Sequence, residues 1–153
     1  MPAQVGASAP AFSLMDKERN VVSLDDFRGN KTVVVFIPFP FTPICDSEAC
    51  AIRDSLTSLN DLDAGVVVIT CHAVQVVKKW SDENGFTFPV LSDFWPHGAV
   101  ATEYGAFNEA VGVANRMSFV LDADGFVHTI INSGSLGTAR EFAAYTEALG
   151  EIN

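Results

Sequence analysis

Cysteines at 45, 50 and 71 are the side chains best suited to chemistry. The thiolate, not the thiol, is the nucleophile, so what matters is which position favours negative charge. Cys45 closes the stretch Pro38-Phe-Pro-Phe-Thr42-Pro-Ile-Cys45. The run Thr32–Pro38 is apolar and rich in β-branched residues, which predicts a strand buried on both faces. Thr42 is a good N-cap and Pro43 suits the first helical position, so a helix begins there with Cys45 in its first turn. Unpaired N–H groups and the helix dipole favour an anion at that point. The carboxyl edge of a central strand is also where open α/β sheets gather their sites. Thr42 precedes Cys45 by three residues, the spacing that lets an N-cap hydroxyl reach the third helical residue. The same hydroxyl is then within reach of the sulfur or a bound substrate. Prolines 38, 40 and 43 stiffen the approach. The bland alternative is a buried cysteine acting as a small hydrophobe. Strand, prolines, cap and first-turn placement together favour a reactive group.

The elements that must hold this loop alternate along the chain. Ala11–Leu14 reads as a short strand, Asp16–Asn20 as a polar turn and Val21–Ser23 as a strand pairing back. Ala49, Ile52, Leu56 and Leu59 extend the helix at helical spacing. Gly65–Thr70 is a second buried strand, Ala73–Asn84 a helix closed by Gly85, and Thr87–Leu91 a short extended piece. Gly98–Tyr104 reads as a short helix. Met117–Leu121 and Phe126–Asn132 form a hairpin around Asp122-Ala-Asp-Gly125, and Thr138–Leu149 is an amphipathic closing helix. A β-α-β half followed by β-β-α predicts an α/β protein with a thioredoxin-like fold, a central mixed sheet flanked by helices. Without repeats or linkers, residues 1–153 read as one domain.

Composition excludes several classes. The formal net charge is −10 and the 9 Lys and Arg are scattered, which argues against nucleic acid as a partner. The start of the chain shows no secretory pattern, and no apolar stretch is long enough to span a membrane, so the expected location is the cytoplasm. An odd number of cysteines there does not suggest a disulfide scaffold. A zinc site is disfavoured: no C-x2-C pair occurs, and His72, His97 and His128 have no ligand spacing. Phe36, Phe39, Phe41, Phe86, Phe88, Phe94, Trp95 and Phe107 are an ample aromatic supply. Most are assigned to the core; some could line an apolar entrance or a subunit surface.

Pro38-x-x-x-Thr42-x-x-Cys45 resembles the active-site signature of peroxiredoxins. With Glu48, then Gly85-Phe-Thr-Phe-Pro89-Val-Leu-Ser-Asp93-Phe-Trp-Pro-His-Gly98, then Ala114-Asn-Arg116, the chain resembles the AhpE-type peroxiredoxins of actinobacteria over nearly its whole length. The resemblance implies a peroxidase that reduces hydrogen peroxide and organic hydroperoxides, peroxynitrite among the candidates. Cys45 would attack the O–O bond and become a sulfenic acid. Thr42 would hydrogen-bond the peroxide, Arg116 would hold the thiolate and polarise the substrate, Pro38 would shield the pocket and Glu48 would fix the arginine. It also implies no metal or organic cofactor, a homodimer, and a thiol reductant: thioredoxin, or mycothiol with mycoredoxin. Read without the resemblance, Arg116 and Glu48 are ordinary surface ion-pair residues. A redox sensor or relay with little turnover is the alternative function.

The chain departs from the AhpE pattern at Cys50. Five residues after Cys45, it resembles the resolving cysteine of the Q-type peroxiredoxins. In a regular helix, residues five apart are separated by about 7.5 Å along the axis and point about 140° apart. A disulfide needs Cα atoms within roughly 7 Å, so the first turns must unwind before Cys45 and Cys50 can join. The other reading of Cys50 is packing, with reduction by an external thiol. Cys71 reads as a packing or bystander thiol.

Overall fold

The computed structural model describes residues 2–152. Elements in chain order are β1 (Ser13–Met15), β2 (Val21–Ser23), a 3-10 turn (Leu24–Phe27), β3 (Lys31–Phe36), α1 (Pro43–Asp54), α2 (Leu56–Asn60), β4 (Ala64–Thr70) and α3 (Val74–Asn84). After them come β5 (Val90–Ser92), α4 (Ala99–Tyr104), β6 (Phe107–Asn108), β7 (Val113–Ala114), β8 (Met117–Leu121), β9 (Val127–Asn132) and α5 (Phe142–Gly150). Seven strands form one sheet in the order β2-β1-β5-β4-β3-β8-β9. It is mixed: β3 runs parallel to β4 and antiparallel to β8, and β4 runs parallel to β5. The expected α/β architecture, a central mixed sheet with flanking helices, is therefore present.

β3 lies at the centre because its side chains are apolar on both faces. Successive strand residues point to opposite sides. Val33, Val35 and Ile37 accordingly pack with Cys45, Ala49, Ile52, Trp80 and Leu149 on the face covered by α1, α3 and α5. Val34 and Phe36 pack with Ile69, Leu91, Tyr104 and Phe119 on the face covered by α4. Two full cores on one sheet require the continuous apolar runs seen in the sequence. Phe36, Phe86 and Phe88 are core residues as expected, whereas Phe41, Phe94 and Trp95 are exposed.

Three element readings shift. The first helix breaks at Ser55, which separates α1 from α2, although Leu56 and Leu59 keep the helical spacing. Thr87–Leu91 becomes strand only at Val90–Ser92, where β4 offers partners. The last helix starts at Phe142 rather than Thr138, because the preceding backbone is drawn inward by a buried arginine described below. The β6–β7 hairpin was too short to read from alternation. The Asp93 carboxylate accepts the N–H groups of Val100 and Ala101 at the start of α4. Gly98 is required beside it: its φ is +68° and a Cβ there would run into the Phe107 ring.

Candidate active site

Strand β3 ends against a proline-bounded loop, residues 38–42, that turns the chain into α1. Thr42 has extended backbone (φ −116°, ψ 152°) and Pro43 opens the helix, as the sequence predicts. Cys45 sits in the first turn of α1 with no exposed surface. Its sulfur accepts a hydrogen bond from the Phe39 N–H at 3.4 Å and another from Arg116 Nη1 at 3.1 Å. Both donors favour an anionic sulfur. Pro38, at the start of the loop that leads from β3 to α1, is buried.

Thr42 departs from expectation in one respect. Its hydroxyl makes no capping bond to the helix; it donates to the Phe39 carbonyl at 2.6 Å. The Thr42 carbonyl accepts the Asp46 N–H instead, at 2.9 Å. With its proton committed to Phe39, the hydroxyl oxygen retains only acceptor capacity.

Arg116, 71 residues from Cys45, reaches it from the turn between β7 and β8. Its Nη1 also donates to Glu48 Oε1 at 2.6 Å, and its Nε to the Leu136 carbonyl at 2.6 Å. Both side chains are nearly sealed, 3% and 5% exposed, so the surface ion-pair reading of these residues is incorrect. Glu48 is shared with Arg140, which sequence reasoning missed. Arg140 donates Nε and its own backbone N–H to Glu48 Oε2, at 2.9 and 2.7 Å, and Nη2 to Oε1 at 2.9 Å. Its Nη1 bonds the Phe36 carbonyl and Ser118 Oγ, at 2.7 and 3.0 Å. Burial alone would raise the Glu48 pKa; the hydrogen bonds and charge of Arg140, with the charge of Arg116, outweigh it and hold the carboxyl below its ordinary value. No local pattern marks Arg140. Its segment reads as the exposed start of a helix, and only the sheet brings it to Glu48.

Comparison with known proteins places the chain in a family. Residues 5–130 match the AhpC/TSA family. The chain belongs to that family. It is 42% identical over 149 residues to alkyl hydroperoxide reductase E of Mycobacterium tuberculosis, covering 97% of each chain. It is 29% identical over 137 residues to peroxiredoxin Bcp of Escherichia coli, covering 86% of each. Among solved structures, peroxidoxin BcpB from M. tuberculosis superposes with a TM-score of 0.88 at 26% identity, over 99% of each chain. Enterococcus faecalis AhpC gives 0.87 at 25% identity, over 98% of this chain and 92% of that one. This AhpC/TSA member is a thioredoxin-fold peroxiredoxin, a thiol-dependent peroxidase. The enzyme names of its relatives favour turnover over the sensor reading.

The other thiols of this peroxiredoxin sit in different surroundings. All three cysteines are free. Cys50 is half-buried on the unbroken helix α1, its Sγ 3.7 Å from Asn84 Oδ1 on α3. Cys71, beyond β4, is buried, and burial together with the Asp93 charge pushes its thiol up to about 12. A thiol so disposed is not a nucleophile near neutral pH, consistent with packing. Among the described residues no helix is long and apolar enough to cross a membrane.

Proposed function

We propose that Cys45 is the peroxidatic cysteine and that Thr42, Arg116, Pro38 and Glu48 serve it, on hydrogen peroxide and organic hydroperoxides. The carrying observation is the sulfur held between Phe39 N–H and Arg116 Nη1. The thiolate attacks the hydroxyl-bearing oxygen of the hydroperoxide. An S–O bond forms, the O–O bond breaks, sulfur loses two electrons, and the leaving alkoxide or hydroxide takes a proton from solvent to become an alcohol or water. The attacked oxygen keeps its hydrogen, and Thr42 Oγ1, with only acceptor capacity left, receives that O–H and orients the substrate. Among the described residues no acceptor engages Arg116 Nη2, which leaves two N–H donors for the oxygen on which charge develops. Glu48 pins Arg116 in this orientation, and Pro38 excludes water.

Cys50 is the resolving thiol in this reading. Once α1 unwinds, its thiolate attacks the Cys45 sulfur, the S–S bond forms as the S–O bond breaks, and the departing hydroxide takes a proton from solvent to become water. A cytoplasmic dithiol protein then reduces the disulfide, with thioredoxin the candidate and mycothiol with mycoredoxin the other. Residues 1–153 act as one domain, supported by the single seven-stranded sheet. A homodimer is the expected assembly. Exposed Met15, Val21, Phe94 and Trp95 line one depression beside β1 and β2, the kind of apolar face a second subunit covers.

The test is the intact mass of the reduced protein after one equivalent of hydrogen peroxide, beside Cys45→Ser and Cys50→Ser. Loss of two hydrogens in the native protein, absent in both variants, is expected. Oxygen gain that needs Cys45 but ignores Cys50 would replace Cys50 by an external thiol. Unchanged native mass would remove Cys45 from the mechanism.

A further inference from the structure

The peroxidatic loop is held by a second set of contacts, which run through Asp46 to α3. Trp80 on α3 is fully buried, edge-on to Phe86 with ring centroids 4.9 Å apart. A buried indole N–H needs an acceptor. It finds the carboxylate of Asp46, the residue after Cys45, at 2.7 Å. The same oxygen, Asp46 Oδ1, accepts the Phe41 N–H at 3.1 Å. Phe41 has φ +69°, a left-handed conformation that is strained for a bulky side chain and persists only where its surroundings enforce it. This loop supplies Phe39, whose N–H bonds the Cys45 sulfur and whose carbonyl accepts the Thr42 hydroxyl. A continuous path thus runs from the indole through Asp46 to the strained turn that presents a donor to sulfur.

The path also restrains α1. Asp46 lies between Cys45 and Cys50, so unwinding of the first turn carries its carboxylate away from Trp80 and leaves a buried donor unpaired. Further along, Arg53 Nη1 donates to the Asn84 carbonyl at 2.8 Å, and Asn84 Nδ2 donates to the Trp80 carbonyl at 2.9 Å. Helix α3 is therefore the surface against which α1 stays folded.

We propose that Trp80 is a positioning residue of this peroxidase: through Asp46 it holds the strained 39–42 loop in its peroxide-ready form, and its release from Asp46 accompanies the opening that exposes oxidised Cys45 to a thiol. The proposal rests on Cys45 being the peroxidatic cysteine, but not on Cys50 being the thiol that resolves it. Because the same contacts favour the folded loop and oppose its opening, their loss moves two steps in opposite directions.

Two rate constants test this in native protein, Trp80→Phe, Asp46→Ala and Asp46→Asn. One is the oxidation of Cys45 by hydrogen peroxide. The other is the consumption of the resulting sulfenic acid, followed in the native background and again with Cys50→Ser and an added monothiol. Trp80→Phe and Asp46→Ala are each expected to slow oxidation about tenfold and to quicken sulfenic-acid consumption several-fold, and the double variant to add little to either. Asp46→Asn keeps an acceptor for both N–H groups and is expected to stay within about twofold of native in both steps. Asp46 is only half-buried, so Asp46→Ala decides the matter if Trp80→Phe does not fold. Folded Trp80→Phe or Asp46→Ala that changes neither step by more than about twofold would overturn the proposal, as would slowing of both steps together in either of them. Failure of the native protein to oxidise at Cys45 would instead overturn the reading on which it rests.

Discussion

At the residue scale the chemistry depends on which thiol is surrounded by donors. Cys45 faces an N–H and a guanidinium, while Cys71 faces apolar side chains and the Asp93 charge. Iodoacetamide at pH 8 is accordingly expected to leave Cys71 unmodified in folded protein and to modify it after denaturation, read by peptide mass mapping. Labelling of Cys71 in the folded state would contradict its placement. For Arg116, charge alone is not the requirement. Its planar fork must reach sulfur, Glu48 and the Leu136 carbonyl together, which a lysine ammonium cannot do. Arg116→Lys is expected to lower kcat/KM for hydrogen peroxide by about 10²–10³, the usual loss of one preorganised donor to developing charge. A variant within threefold of native would remove Arg116 from the charge-stabilising role.

Helix α1 must be both rigid and able to open. Its first two turns are fastened by Asp46 to α3 and by Glu48 to the two arginines, so its N-terminus is restrained where helix ends otherwise fray. Glu48 gives this restraint a pH dependence. Its folded pKa is depressed, so its contribution to stability is fully present above the ordinary glutamate pKa of about 4.3 and is lost as pH falls through the lower folded value. Thermal unfolding followed from pH 6 down to pH 3 is expected to show a fall in Tm below about pH 4.3 that is shallower in Glu48→Gln. Parallel curves for the two proteins would show that Glu48 is not the titrating clasp.

Across the whole molecule, Arg140 joins what the chain order separates. From a segment before α5 it bonds Glu48 on α1, the carbonyl of Phe36 at the end of β3, and Ser118 on β8, with Tyr145 of α5 hydrogen-bonded to the same serine. Removing one partner of a buried ion pair leaves the other charge uncompensated. Arg140→Met is therefore expected to cost about 3–5 kcal/mol in urea unfolding and to lower peroxide reactivity through misplacement of Glu48 and Arg116. A destabilisation under about 1 kcal/mol would mean that Glu48 finds adequate partners without it.

Local signals carried much of this protein. The β-branched run of β3, the threonine and proline that start α1, and the position of Cys45 in its first turn are all short-range facts, because a strand, a cap and a helical turn are specified within a few residues. Arg116 and Glu48 were legible only by resemblance, since by themselves they read as surface residues. Tertiary structure alone decided the rest. The sheet order places β8 beside β3, and so sets Arg116 71 residues away within 3.1 Å of sulfur. Packing of α3 on α1 turns Trp80 and Asp46 into a pair across 34 residues. Arg140 reaches Glu48 across 92. Sequence spacing fixes direction and periodicity along a segment, whereas these partners are chosen by which faces of distant segments must bury apolar surface against the same sheet. Their polar atoms are then enclosed together and must satisfy one another.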